Sequence, residues 1–314
     1  MAGENGGSDV TERVLELDKL SKTYGGPKGG VRAVKDVTLS VNAGEVYGFL
    51  GPNGAGKSTT IRMLLTLIGP TGGTARLFGQ DVRSRPDALK RVGSLVDGGT
   101  FYPFLSGREN LRVLAETAGL KNTPRIDPLL EQVGLADAAE RKFKSYSTGM
   151  KQRLGVAAAL LNDPQLVILD EPVNGLDAAG VAEMRTLIRT LSADEGRTVF
   201  LSSHLLNEVQ QVCDRVAIVS AGSVIHEARV EELLTSENSV RVEAAPMERA
   251  REALADWTYE ALPDGRLRVT APRERVPELV RVLSAAGVEI YAVEPQKRSL
   301  EDAFLAITGE AGRA

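Results

Sequence analysis

The 314-residue chain has one cysteine, Cys213, and two histidines, His204 and His226. One thiol excludes a disulfide framework and a cysteine-based zinc site, and two histidines leave little for a histidine-rich metal centre. Aromatic residues make up 4% of the chain and the formal net charge is −4, with no long basic run. That balance argues against nucleic acid as a partner. No apolar stretch reaches the roughly 18 residues that a bilayer span needs. The first residues, MAGENGGSDVTER, lack the apolar core of a secretory signal and read as a disordered leader over 1–13. These absences place the protein on the cytoplasmic side. Work at a membrane would need a partner that supplies the span.

What is present is ordinary for a globular protein: 42% apolar and 25% charged residues, on a chain long enough for two domains. Short apolar runs at 14–17, 37–41, 46–50, 75–78, 166–169, 198–201 and 216–219 predict strands. Helical patterns fall at 57–67, 108–117, 151–161, 181–191 and 205–212. Strands alternating with helices predict an α/β fold around a buried, largely parallel sheet. Residues 42–44, Asn-Ala-Gly, read as a tight turn that makes the strands before 46 antiparallel to one another.

Near residue 230 the composition shifts. From there on, 11 cations stand against 16 carboxylates, and only one cation is a lysine. The predicted order is strand 239–242, helix 248–257, strands 259–261 and 267–270 joined by a Pro263-Asp264-Gly265 turn, helix 276–286, strand 288–293 and a closing helix over 299–307. This βαββαβ pattern predicts a small α+β ferredoxin-like domain. The expected division is 1–13 leader, 14–229 catalytic domain and 230–314 accessory domain.

Residues 51–58, Gly51-Pro52-Asn53-Gly54-Ala55-Gly56-Lys57-Ser58, fit G-x-x-x-x-G-K-[ST] and lie between a predicted strand and a predicted helix. Glycines let successive amides turn inward around phosphate oxygens, and the helix start adds unpaired N–H groups. Lys57 is then placed for the β- and γ-phosphates and the Ser58 hydroxyl for Mg²⁺. Four apolar residues at 166–169 run into Asp170 and Glu171. A buried strand ending there brings a carboxylate to the nucleotide edge of the sheet, with Asp170 for Mg²⁺ and Glu171 for the attacking water. Ser147, Thr148 and Gly149 open another helix. Alone this is an ordinary serine cap; beside a phosphate loop it is a second anion-binding helix end, which suggests a nucleotide held between two copies of the chain.

Together these segments resemble the ATP-binding subunit of ABC transporters: GPNGAGKST at 51–59, YSTGM at 146–150, LVILDEP at 166–172, GLD at 175–177 and SSH at 202–204. The resemblance covers about residues 14–229 and implies a P-loop ABC-type nucleotide-binding domain with a mixed sheet and a helical subdomain. It implies MgATP as the ligand, held by residues 51–59 including Thr59, and an ATP-sandwich homodimer. It further implies that Tyr24 stacks on adenine, that Ser147 and Gly149 reach the γ-phosphate held by the opposite copy, that Asp177 links the two sites and that His204 senses the γ-phosphate. His226 matches nothing in the pattern. The implied activity is ATP hydrolysis by Lys57, Glu171 and His204, coupled to a separate transmembrane permease, with the subunit peripheral on the cytoplasmic face of the membrane.

Two segments depart from the family. Tyr146, Thr148 and Met150 stand where LSGGQ is usual, although the serine and second glycine remain. Where the glutamine loop should lie, Asp97 falls at the glutamine's position. A carboxylate can reach Mg²⁺ but donates no hydrogen bond. An acidic residue there resembles the bacitracin-type and daunorubicin-type export ATPases, as does the tail at 298–305, so a drug or antibiotic is the expected cargo class. The aromatic stretch Phe101-Tyr102-Pro103-Phe104 suits either a groove for a membrane subunit's helix or a core patch. An importer ATPase with a ligand-sensing accessory domain is the alternative. A soluble ABC ATPase on ribosomes or DNA fits poorly with one ATPase unit and a negative charge.

Overall fold

The computed structural model describes residues 12–25, 30–96, 98–99, 101–120, 124–234, 239–295, 300–301 and 304. The chain divides into two compact units, Met1–Val230 with Ala306–Ala314, and Glu231–Leu305.

The first unit runs β1 (Arg13–Tyr24), β2 (Val31–Asn42), β3 (Val46–Leu50), α1 (Lys57–Leu64), β4 (Gly72–Leu77), β5 (Gln80–Asp81), β6 (Val92–Leu95), α2 (Gly107–Thr117), α3 (Ile126–Gln132), α4 (Thr148–Ala159), β7 (Leu166–Asp170), α5 (Ala178–Ala193), β8 (Thr198–Ser203), α6 (Leu206–Gln210), β9 (Arg215–Ser220) and β10 (Ser223–Arg229). Two sheets result, ordered β2-β1-β4-β5 and β10-β9-β3-β8-β7-β6. The first is antiparallel. In the second, β9, β3, β8, β7 and β6 are parallel and β10 closes the edge antiparallel. Every residue of β3, β7 and β8 is buried, which explains their unbroken apolar runs. One core joins the sheets: Leu15, Leu17 and Val41 from the first meet Phe49, Ile168 and Phe200 from the second, with Ile61 and Leu64 of α1.

The turn at 42–44 does not pair the strands it joins. It carries the chain from the first sheet to the second, and β3 lies between β8 and β9 rather than beside β2. Polar contacts fix the change of sheet. Asn42 N–H donates to Glu45 Oε1 at 2.7 Å, Gly44 N–H to Thr198 Oγ1 at 2.9 Å and Ala43 N–H to Glu12 O at 2.8 Å. Arg215 then clamps Glu45 at 3.0 Å and Glu227 at 2.6 Å, and the Tyr47 hydroxyl donates to Glu227 at 2.8 Å. The helix expected over 57–67 ends at Leu64, because Thr66 adopts a left-handed backbone at φ 59°. The leader expected over 1–13 lies outside the described residues except for Glu12 and Arg13, and Arg13 already begins β1.

The second unit follows α7 (Val230–Leu234) with β11 (Ser239–Ala245), α8 (Met247–Ala253), β12 (Tyr259–Ala261), β13 (Leu267–Thr270), α9 (Val276–Ala285) and β14 (Glu289–Pro295). Its sheet is antiparallel, ordered β12-β13-β11-β14. Alternation along β11 and β13 buries Val240, Val242, Leu267 and Val269 against Leu279 and Leu283 of α9, a core of its own. Of the closing helix expected over 299–307, only residues 300, 301 and 304 are described.

Candidate nucleotide site

Three parallel strands end on one edge of the second sheet. β3 ends at Leu50, β7 at Asp170 and β8 at Ser203, and these strands lie side by side in the order β3-β8-β7. The phosphate loop leaves β3 there, Glu171 leaves β7 and His204 leaves β8, so three segments distant in sequence converge at one carboxyl edge, where open α/β sheets bind ligands.

The loop's shape follows from its glycines. Gly54 and Gly56 hold φ of 82° and 100°, and a Cβ on Gly56 would stand 2.5 Å from the Ala33 carbonyl oxygen. No other residue fits there without moving backbone. Lys57, 5% exposed, curls its ammonium back to donate to Gly51 O at 2.7 Å and Pro52 O at 3.2 Å. The same ammonium lies 3.1 Å from Glu171 Oε1, while Glu171 Oε2 lies 2.8 Å from His204 Nδ1. One carboxylate therefore joins the loop's cation to the histidine. Glu171 itself has φ 52°, a conformation that costs a side-chain-bearing residue about 1–2 kcal/mol. Its amide is anchored to Ser202 Oγ at 3.0 Å and Ser202 O at 3.2 Å.

Asp170 is 9% exposed, and its Oδ1 accepts from the Ser202 hydroxyl at 2.5 Å. Among the described residues no hydrogen bond to the second oxygen is seen. With the Ser58 hydroxyl in the first turn of α1, the available donors are hard oxygens. Among the described residues no three His, Cys, Asp or Glu side chains form a metal cage. A cation here would complete its shell with substrate oxygens and water, which suits Mg²⁺ held by one carboxylate and phosphates.

Ser147 caps α4, accepting from Met150 N–H at 3.2 Å, and Asp177 caps α5, accepting from Gly180 N–H at 2.8 Å. A Cβ on Gly149 would meet only Leu176 Cδ2 and Ser147 Oγ, both at 3.9 Å, so the α4 start is open to a ligand. Among the described residues no hydrogen bond joins Ser147, Gly149 or Asp177 to Lys57, Glu171 or His204. Tyr24 closes β1 in the other sheet, 41% exposed, with the Lys22 ammonium 5.2 Å from its ring centre. His226 lies half-buried on β10 opposite Ile218. Asp97 lies outside the described residues.

The unusual signature residue Tyr146 is buried, and its hydroxyl donates to Ala138 O at 2.7 Å. Burial pushes its phenol above the ordinary range. The aromatic stretch divides between a packed and an exposed part. Phe101 packs on Phe143 at 4.9 Å, whereas Tyr102 and Phe104 are 58% and 69% exposed. The loop is tied to the segment before the signature by Phe143 N–H to Leu105 O at 2.8 Å and Lys144 N–H to Pro103 O at 2.9 Å. Sequence reasoning passed over Ser202 and Asn110. The latter's side chain bonds Tyr102 N and O and Ser106 O, and an asparagine inside the helix predicted over 108–117 was the available signal.

The ABC transporter family profile matches residues 34–174. The chain is 37% identical to the bacitracin transport ATP-binding protein BcrA of Enterococcus faecalis, over 97% of this chain and 99% of that one. It is 38% identical to the daunorubicin/doxorubicin resistance ATP-binding protein DrrA of Streptomyces peucetius, over 95% and 93%. Among solved structures, the dimeric bacterial ABC transporter cassette MJ0796 superposes with a TM-score of 0.62 at 25% identity, covering 69% of this chain and 98% of that one.

Proposed function

Because the chain belongs to the ABC transporter family and is an ATP-binding subunit that hydrolyses ATP, we propose that it drives export of a drug or antibiotic through a separate membrane subunit. Among the described residues no helix is long and apolar enough to cross a membrane, so the span must come from that partner. The cargo class rests on relatives named for bacitracin transport and for daunorubicin/doxorubicin resistance, which match along nearly their whole length. The exposed Tyr102 and Phe104, on a loop tied to the signature segment, offer the partner an apolar contact that would move with the nucleotide site. The subunit then sits peripherally on the cytoplasmic face.

The observation that carries the catalytic reading is the Glu171 carboxylate between Lys57 and His204. Backbone N–H groups of residues 53–56, after Pro52, and the start of α1 bind the phosphates, and Ser58, Thr59 and Lys57 complete the cradle. Phosphate oxygens draw the Lys57 ammonium from Glu171, since the loop cation serves either anion. Glu171, released, accepts a proton from the water that attacks the γ-phosphorus in line, while the bond to the β-phosphate oxygen breaks and ADP leaves. His204, bonded to Glu171 through Nδ1, orients the carboxylate and reports the γ-phosphate. Mg²⁺ would be held by Ser58 and Asp170, with Asp97 expected as a further ligand, and would supply neutralisation of the charge that develops on the phosphates.

Two copies bind two ATP head to tail, each offering the Ser147–Gly149 helix start and Asp177 to the other; the open α4 terminus and the dimeric relative support this. Tyr24 stacks on adenine. We assign residues 14–229 to the catalytic domain and 230–314 to the accessory domain, with Ala306–Ala314 grouping with the first compact unit, and the element order and strand order of the second unit support a ferredoxin-like fold. The test is co-expression with the candidate permease in a drug-sensitive bacterium. Resistance to bacitracin or an anthracycline that disappears with Glu171→Gln supports the reading. Co-purification with a permease but ATP-dependent uptake of a solute would replace it.

A further inference from the structure

Ser202 is fully buried near the end of β8, in register with Asp170 on the parallel neighbour β7. Its hydroxyl meets two groups whose roles in the bond are fixed. The Glu171 amide can only donate, and an ionised Asp170 carboxylate can only accept. The single hydroxyl proton is therefore spent on Asp170 Oδ1 at 2.5 Å, and a lone pair receives Glu171 N–H at 3.0 Å. Glu171 N–H is shared with the carbonyl of the same serine at 3.2 Å.

We infer that Ser202 is a positioning residue for ATP hydrolysis: its hydroxyl, bonded at once to the Asp170 carboxylate and the Glu171 amide, locks the cation-binding carboxylate and the water-activating carboxylate into one fixed arrangement. The inference rests on the roles proposed above for Asp170 and Glu171. Commitment of Oδ1 restrains the Asp170 carboxylate and leaves the cation to be taken by Oδ2. The amide bond holds the left-handed bend at Glu171 that sends its side chain between Lys57 and His204. The strand itself has no need of a hydroxyl there. Val199, Phe200 and Leu201 earlier in β8 are buried apolar residues, and such a residue at 202 would continue the strand. The hydroxyl at 202 therefore serves the groups it touches rather than the strand.

The experiment compares Ser202→Ala, Ser202→Cys and Ser202→Thr in the full chain. Equilibrium binding of a fluorescent ATP analogue is measured with and without Mg²⁺, Mn²⁺ binding to the nucleotide complex is followed by paramagnetic resonance, and kcat, KM and Tm are recorded. Loss of an outer partner of a metal ligand costs about 10–100-fold in metal affinity or activity. Ser202→Ala is expected to lose about tenfold in metal-dependent nucleotide binding and Mn²⁺ affinity and at least tenfold in kcat, with metal-free ATP binding unchanged. Ser202→Thr keeps the hydroxyl and restores both. Ser202→Cys keeps the volume without a strong hydrogen bond and falls with alanine while Tm stays at the parent value. Parent-like metal dependence and kcat in Ser202→Ala or Ser202→Cys, with only Tm lowered, overturn the inference. Asp170→Asn and Glu171→Gln, measured alongside, separate the two levels. Parent-like behaviour in those variants overturns the site assignment itself, whereas impairment there with an unaffected Ser202→Ala overturns the role of Ser202 alone.

Discussion

Lys57 Nζ stands 3.1 Å from Glu171 Oε1, so the cation of the phosphate loop and the carboxylate after β7 neutralise each other across the site. Each is buried enough for the pair to matter, the side chains being 5% and 18% exposed. A phosphate entering the loop competes with Glu171 for one ammonium.

Replacement of Lys57 by alanine removes that cation from both anions. Turnover should fall by at least ~10²-fold, the scale of one preorganised charged donor. A steady-state phosphate-release assay decides it; near-normal turnover would sink the phosphate-loop assignment.

Glu171→Gln keeps the shape of the side chain and removes its ability to take a proton. ATP binding should persist while hydrolysis drops by about 10²–10⁴-fold. The variant should then collect as an ATP-dependent dimer. Light scattering that shows only monomer in MgATP, with turnover intact, would count against both the base and the sandwich.

Gly107 lies under the Tyr146 phenol: a Cβ there would approach the hydroxyl oxygen to 2.2 Å. Gly107→Ala must push the ring from its bond to Ala138 O and disturb the start of α4. Overpacking of this kind costs about 1–3 kcal/mol. Chemical denaturation measures the loss, and the double variant Gly107→Ala/Tyr146→Leu should recover much of it. Equal instability of single and double variants would show the clash is not the cause.

Asp163 binds Arg197 at 2.9 Å and Arg125 at 3.0 Å, and the hydrogen bond from Arg197 leads in holding its carboxyl below the ordinary 3.8. A carboxyl depressed in the folded state stabilises above the unfolded value and loses that contribution as pH falls through the folded one. The side chain is 61% exposed, so screening limits the effect to under about 1 kcal/mol. Asp163→Asn should lower Tm slightly at neutral pH, with the difference from the parent closing at acid pH below the ordinary carboxylate range. A gap that widens with acid would reverse the assignment.

Deletion of residues 231–314 removes the second unit together with Ala306–Ala314 of the first, and should leave ATP binding intact, because the second unit has its own core and Lys57, Asp170, Glu171 and His204 all lie before residue 231. Isothermal titration of the truncated protein tests this; a folded truncation without ATP affinity would mean that the tail builds the site.

The phosphate loop was legible because glycine spacing, lysine and hydroxyl form one local word between a strand and a helix. Asp170 and Glu171 were legible because a buried strand ends in charge. The full length of β1 was not, since Asp18, Lys19 and Lys22 interrupt its apolar run and the strand is held by neighbours on both sides. The turn at 42–44 misled because hairpin chemistry is local while the partner of β3 is chosen by β8, β9 and the Glu45–Arg215 pair, far along the chain. Ser202 was visible only as a neighbour of His204. Its two bonds cross strands, and nothing in a linear pattern announces them.

The left-handed backbone of Glu171 sets stability and activity against each other at a single codon. Glycine carries no Cβ penalty in that conformation and asparagine carries little. Either change would relax the bend, and either would discard the proton acceptor. Either change would also leave the buried Lys57 ammonium without its carboxylate, so the strain relieved at 171 is set against an unpaired cation, and the residue that hydrolysis needs is also the one that neutralises the loop.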